Sequence, residues 1–279
     1  MRRAYAKINL TFEVLGRRPD GYHEVVSVMQ AISLHDVLTF EPHDRIQLAA
    51  DIAELVSPGN LVYRAVRLMQ GLASAHCGIA VSLSKGIPLA SGLGGGSSDA
   101  ATTLLTLNRL WGLRLSKKRL LELGARLGSD VPFFVQGSPT ALVTGRGDKV
   151  KALPSPSRTW VVLVRPPIEL PDKTRKMYGH LDPACFTRGQ HAARLTDSIR
   201  GGTDLADLRC YNAFETVACS VFAGLDHYKR AFLAGGAATV HLAGAGPALF
   251  TLVDNRDKGE TILRRLRATG LEAYLAETL

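Results

Sequence analysis

Residues 87–105 read IPLASGLGGGSSDAATTLL, and this stretch narrows the possible folds more than any other. Glycines at 92, 94, 95 and 96 lead into Ser97, Ser98 and Asp99, and an apolar run follows. Ala100, Ala101, Leu104, Leu105, Leu107, Leu110 and Trp111 give that run helical spacing over about residues 97–111. A helix this apolar is largely buried. Serine and aspartate are good capping types, so a flexible turn before an N-cap would account for part of the pattern. It does not account for four glycines, because each surplus one costs roughly 0.5–1 kcal/mol of backbone order. Repeated glycine before a helix N-terminus does bring backbone N–H groups close to an anion, and the helix dipole adds attraction. The stretch therefore predicts a phosphate cradle at the end of a buried helix. It is not a Walker A loop, since no GK[ST] follows, and it lacks the GxGxxG spacing of a dinucleotide site. A cationic group for phosphate chemistry must come from elsewhere in the chain.

The sequence around this loop mixes strands and helices without strict βα alternation, which predicts an α+β fold. At the N-terminus Ala6, Ile8, Leu10, Phe12 and Val14 alternate with Tyr5, Lys7, Asn9, Thr11 and Glu13. That is a strand with one apolar face and one that composition reads as solvated. Pro19-Asp20-Gly21 marks a turn. Strand-like runs follow at 25–40 and 78–84, with a helix over 59–73 between them. A basic helix spans 115–128, and strands are expected at 132–136 and 140–144. LPSPSR at 153–158 interrupts the pattern. It predicts two domains, 1–153 and 154–279. The second half reads strand (TWVVLVRPP), helix (212–236), strand (AATVHLAG), strand (PALFTLVD), helix (KGETILRRLRATG) and strand (LEAYLAETL). This is the ferredoxin-like order β-α-β-β-α-β, with residues 168–211 as a helical insertion.

Composition narrows the function. Apolar residues make up 46% of the 279, enough for a globular core. No apolar run is long enough for a membrane span, and the N-terminus does not read as a signal peptide, so a cytoplasmic protein is expected. Four cysteines without a CxxC pair, and eight histidines without HExxH, predict free thiols and no structural metal site. The net charge of +9 suits an anionic partner, but it does not separate a nucleotide enzyme from an RNA binder.

PLASGLGGGSSDAA, at 88–101, resembles the phosphate loop of the GHMP kinases. AYAKINLTFEVLGRRPDGYHEV, SPGNLVYRA (57–65), LGSDVPFF (127–134) and HLAGAGPALFTLV (241–253) extend the resemblance nearly end to end. It implies an N-terminal domain like domain 2 of ribosomal protein S5 and a ferredoxin-like C-terminal domain. Two stretches depart from the pattern. Ala90-Ser91 stands where the family often has a glycine-rich pair, and the insertion at 169–181 matches only loosely.

The resemblance implies an ATP- and Mg²⁺-dependent small-molecule kinase. Pro88, Leu89, Ala90, Ser91, Gly92, Leu93, Gly94, Gly95, Gly96, Ser97 and Ser98 would wrap ATP. The hydroxyl of Ser97 or Ser98 would lie near the phosphates or Mg²⁺, and Asn60 and Lys85 near the adenine. Asp130 would be the catalytic carboxylate. Lys7 would pair with it and stabilise charge on the transferring phosphoryl, so a lysine distant in sequence supplies what the loop lacks. By itself DGYHE is an aromatic turn. The resemblance carried by RPDGYHE implies an acceptor with a cytidine, CDP-methylerythritol, phosphorylated at its 2-hydroxyl in the methylerythritol phosphate route to isoprenoids. Tyr22 would stack on the base, His23 would bond its edge, and Tyr178 would supply the second face. Asn9, Gly244 and Gly246 would face the acceptor. The expected state is a monomer or weak homodimer, with no nucleic-acid or membrane partner. Two alternatives stay open: another GHMP kinase of the homoserine or mevalonate type, and a non-catalytic RNA-binding protein. RPDGYHE argues against the first. The combination of glycine loop, Lys7 and Asp130 argues against the second.

Overall fold

The computed structural model describes residues 1–73 and 77–279. The first half comprises β1 (Arg2–Arg17), β2 (His23–His43), β3 (Ile46–Ala50), α1 (Leu61–Gln70), β4 (Gly78–Ser84), α2 (Gly95–Leu110), α3 (Lys117–Leu127), α4 (Val131–Gln136), β5 (Thr140–Gly145) and β6 (Lys149–Ala152). The second half comprises β7 (Trp160–Val164), α5 (Lys173–His180), α6 (Gln190–Arg200), β8 (Tyr211–Asn212), α7 (Ala218–Val221), α8 (Leu225–Ala234), β9 (His241–Leu242), β10 (Leu249–Val253), α9 (Arg256–Ala268) and β11 (Ala273–Glu277).

Two sheets organise these elements. The first runs β3-β4-β2-β1-β8, with β5 and β6 attached beyond β2. β2 can serve two neighbours because it is 21 residues long. Its first half pairs β5 and its second half pairs β4. Helices α1, α2 and α3 bury one core against this sheet, with Val66, Met69, Leu104, Leu107 and Leu123 at its centre. The second sheet has the order β11-β7-β10-β9 with antiparallel pairing throughout, the strand order of a ferredoxin-like unit.

Three local expectations need correction. Residues 132–136 form helix α4, not a strand. Pro132 sits in its first turn and Gly137 ends it at φ +76°, and an apolar run of this length fits either element. Residues 212–236 do not form one helix. Asn212 caps a short 3₁₀ turn, Phe222 is extended, and Gly224 at φ +81° starts α8. The breaks let Phe214, Phe222, Leu225 and Phe232 all reach the same core. The face of β1 that composition reads as solvated is buried at Lys7, Asn9, Thr11 and Glu13. Different groups cover it. Lys7 and Asn9 lie under the glycine loop and beside Ser27: the Lys7 N–H donates to the Leu93 carbonyl at 2.9 Å, and Asn9 Nδ2 to Ser27 Oγ at 2.8 Å. Beyond a register shift in β1 the insertion returns, with Ala192 N–H donating to Glu13 Oε1 at 2.7 Å and Tyr211 of β8 pairing with Thr11.

Candidate active site

Helix α2 starts at Gly95, behind Gly94 at φ +76°, and no side chain caps it. Its first N–H groups therefore remain free for an outside acceptor. A Cβ on Gly94 would lie 3.1 Å from Lys7 Cγ and 3.1 Å from Phe134 Cζ, so glycine here lets β1 and α4 approach the loop. The Lys7 N–H donates to the Leu93 carbonyl at 2.9 Å, which ties the loop to β1. Residues 88–92 and 94–97 line a cavity of about 330 Å³, together with Lys7, Lys85, Asp130, Lys173 and Thr174. Leu93 and Ser98, both within the expected loop, turn into the core instead.

The loop leans on a second tight turn, at Gly244-Ala245-Gly246 between β9 and β10. The Ala248 N–H donates to the Ser91 carbonyl at 3.1 Å. Gly92, at φ +91°, passes so close that a Cβ there would lie 2.0 Å from the Ala243 carbonyl oxygen. Asn212 Nδ2 fixes the turn by donating to the carbonyls of Leu242 and Gly244 at 2.9 and 2.8 Å. Gly244 and Ala245 line the larger cavity described below. Gly246 lines neither cavity: a Cβ there would meet Leu242 and Phe222.

Lys7 and Asp130 meet where the two cavities join. Lys7 is buried, and its ammonium lies 3.4 Å from Asp130 Oδ2 and donates to Asn9 Oδ1 at 2.7 Å. Asn9 Nδ2 in turn donates to Ser27 Oγ at 2.8 Å. Asp130 precedes α4 as its N-cap but makes no side-chain cap bond, so the carboxylate is left for Lys7 and the cavity.

The larger cavity, about 1070 Å³, extends from this pair to Tyr22, His23, Tyr178, Phe214 and Arg146. The expected aromatic trio is assembled, with a different pairing. Tyr178 stacks on His23 at 4.3 Å, and Tyr22 is exposed under the Arg146 guanidinium at 4.6 Å. Burial and Arg17 lower the His23 pKa, which keeps the ring neutral at pH 7. Its Nε2 is buried without a hydrogen-bond partner, an orphan that a ligand's polar edge would satisfy.

Lys85 and Asn60 are committed elsewhere. The Lys85 ammonium is buried beneath the loop, bonded to Asp36 Oδ2 and, at 2.9 Å, to Asp99 Oδ2. Burial pushes the Asp99 carboxyl up to about 7. Asn60 caps α1 through Oδ1, and its Nδ2 donates to the Leu55 carbonyl at 2.8 Å. It lines neither cavity, although its neighbour Leu61 lines the loop cavity.

Sequence reasoning missed Lys173. Its ammonium donates to the Ala90 carbonyl at 2.5 Å and to the Gly246 carbonyl. Its signal was weak, because the insertion departs from the family pattern at this point. No cluster of three or more His, Cys, Asp or Glu side chains suited to a metal occurs among the described residues.

The family models for the N-terminal and C-terminal domains of GHMP kinases match residues 60–138 and 203–271. The chain is 44% identical over 277 residues to the 4-diphosphocytidyl-2-C-methyl-D-erythritol kinase of Dehalococcoides mccartyi, covering 99% of this chain and 97% of that protein. It is 40% identical over 281 residues to the kinase of the same name from Pelotomaculum thermopropionicum, covering 99% and 96%. A crystal structure of 4-(cytidine 5'-diphospho)-2C-methyl-D-erythritol kinase superposes with a TM-score of 0.84 at 32% identity, covering 99% and 98%. The mevalonate kinase of L. major shares the fold, with a TM-score of 0.70 at 16% identity. By its two family matches and its full-length relatives, the chain belongs to the GHMP kinases.

Proposed function

We propose that the protein transfers the γ-phosphoryl of ATP to the 2-hydroxyl of CDP-methylerythritol, giving the 2-phosphate and ADP in the methylerythritol phosphate route of isoprenoid biosynthesis. Full-length similarity to kinases named for that acceptor supports the choice of substrate. The observation that carries the reaction type is the Lys7–Asp130 pair at the junction of the glycine-loop cavity and the aromatic cavity.

Phosphoryl transfer asks a protein mainly to position its reactants and stabilise charge. In this reading the free N–H groups of Gly95, Gly96 and Ser97 hold the phosphates. Asp130 orients the acceptor hydroxyl and accepts its proton. Lys7 balances charge on the transferring group. Asn9 fixes the Lys7 ammonium between itself and Asp130. His23 Nε2 takes the polar edge of the cytosine, while Tyr22 and Tyr178 supply aromatic faces. Mg²⁺, when bound, neutralises phosphate charge. With no acidic cluster among the described residues, its ligands would come largely from the phosphates, with the Ser97 hydroxyl as the protein group best placed at the cavity junction. We place the domain division at 153/154, between β6 and β7. No helix among the described residues is long and apolar enough to cross a membrane. A cytoplasmic monomer or weak homodimer acting without nucleic acid completes the reading.

The test is ADP release with Mg·ATP against CDP-methylerythritol, methylerythritol phosphate, homoserine, mevalonate and galactose. Turnover with the cytidine compound alone is expected. Turnover with a different alcohol would leave the Lys7–Asp130 roles intact and overturn the pocket assignment.

A further inference from the structure

We propose that Lys173 is a second cationic catalytic residue, exchanging its two backbone carbonyl partners for oxygens of the transferring phosphoryl group. The proposal rests on the phosphotransfer reading above. Three observations carry it. First, the Lys173 side chain lines both cavities, in company with Lys7, Ser97 and Asp130. That junction is where a phosphoryl group moving from one cavity to the other must pass. Second, its ammonium is held by neutral carbonyls, Ala90 of the phosphate loop and Gly246 of the second turn. A phosphate oxygen is the stronger partner for a charged donor, so the exchange is favourable without breaking an ion pair. Third, among the described residues the charged groups that line both cavities do not balance: Lys7 on β1 and Lys173 itself stand against Asp130, while in the larger cavity Asp172 is outnumbered by Arg17, Arg146 and Arg175. A site with two ammonium groups around one carboxylate is arranged for an additional anion.

Electrostatics give the proposal a signature. Burial, and then the nearby Lys7, hold Lys173 down to about 8, with Asp130 opposing them. A bound γ-phosphate would favour the charged form and raise that value. The protonated, active form is therefore lost in the free enzyme as pH rises through about 8.

A purely structural role is the competing explanation. Lys173 opens α5 behind Asp172 at φ +53° and could simply strap the insertion onto two loops. The experiment separates the two. Binding of a non-hydrolysable Mg·ATP analogue and of Mg·ADP is measured by calorimetry at pH 7 and 9.5, for wild type, Lys173→Arg and Lys173→Met. Steady-state rates are measured in parallel. In wild type, analogue affinity is expected to fall over that range while ADP affinity changes much less. In Lys173→Arg, whose charge does not titrate, the analogue no longer shows the extra fall. Lys173→Met is expected to lose about 100-fold in kcat, the usual scale for removing one electrostatic donor, with ADP affinity kept within about threefold. A Lys173→Met kcat within about threefold of wild type overturns the proposal. So does an identical pH course for analogue and ADP in wild type, even where Lys173→Met is unstable. Absence of turnover in wild type would count against the kinase reading itself, and the analogue-to-ADP comparison would still decide whether Lys173 meets a γ-phosphate.

Discussion

Asp130 stands at the N-cap of α4, where an aspartate would ordinarily accept a backbone N–H, and it does not. Its partner is the Lys7 ammonium at 3.4 Å, fixed in turn by Asn9. The side chain keeps 31% exposure and faces a cavity large enough for an acceptor. Asp130→Asn keeps the shape and removes both the charge and the base. Turnover is expected to fall by roughly 10²–10⁴, the usual worth of a positioned base, while nucleotide affinity changes little. Stopped-assay rates together with calorimetric ATP-analogue binding would check this. A loss of only a few-fold would reduce Asp130 to orienting the hydroxyl in a loose transition state. Lys7 and Asp130 lie far apart in sequence, and no local pattern links them. They were legible only through the resemblance carried by AKIN and GSDVPFF. Lys173 was not legible even so, since its position depends on how an insertion of loose pattern folds back over two loops.

At the scale of elements, the glycines of the loop do different jobs. Gly92 is left-handed and pressed against the β9–β10 turn, whereas Gly96 lies within α2, where a Cβ would find Leu61 Cδ1 at an ordinary 3.7 Å. Gly92→Ala must therefore push the two loops apart. It is expected to destabilise the protein by at least the 1–3 kcal/mol or so of a strained backbone site and to abolish phosphate binding. Gly96→Ala adds helix propensity worth up to about 1 kcal/mol and should leave stability equal or higher, with any loss confined to nucleotide affinity. Urea melts of the two variants distinguish these outcomes; equal destabilisation would refute the division of labour. The glycine run was readable as a cradle because four glycines before a helix N-terminus exceed what a turn needs, and two of them, Gly92 and Gly94, are left-handed. The 132–136 run was misread because its first four residues, PFFV, are apolar without a period. The polar face of β1 was misread from composition because the groups that cover it are distant in sequence: the glycine loop lies over Lys7, and Ala192, 179 residues on, meets Glu13.

The two sheets touch through an antiparallel bridge between Ile32 and Thr278, and the site belongs to neither alone. The glycine loop and Lys7 come from elements of the first sheet, and the Gly244–Gly246 turn comes from the second. Ala248 N–H to the Ser91 carbonyl and the paired bonds of Lys173 cross between them. The core does likewise: Ile8, Leu10 and Val28 of the first sheet share a cluster with Val161, Leu163 and Phe250 of the second. A strand order typical of the ferredoxin-like unit was readable from the β-α-β-β-α-β pattern, but this shared core was not, because it depends on how the two halves dock. The docking has a thermodynamic consequence. Nucleotide that binds only the assembled site stabilises everything the site requires, by about 2.7 kcal/mol at 100 times its Kd. Scanning calorimetry with saturating Mg·ADP is therefore expected to move a single unfolding transition upward by several degrees. Two transitions, of which only the first sheet's moved, would mean that the nucleotide is held by the loop alone and that the β9–β10 turn contributes nothing to its binding.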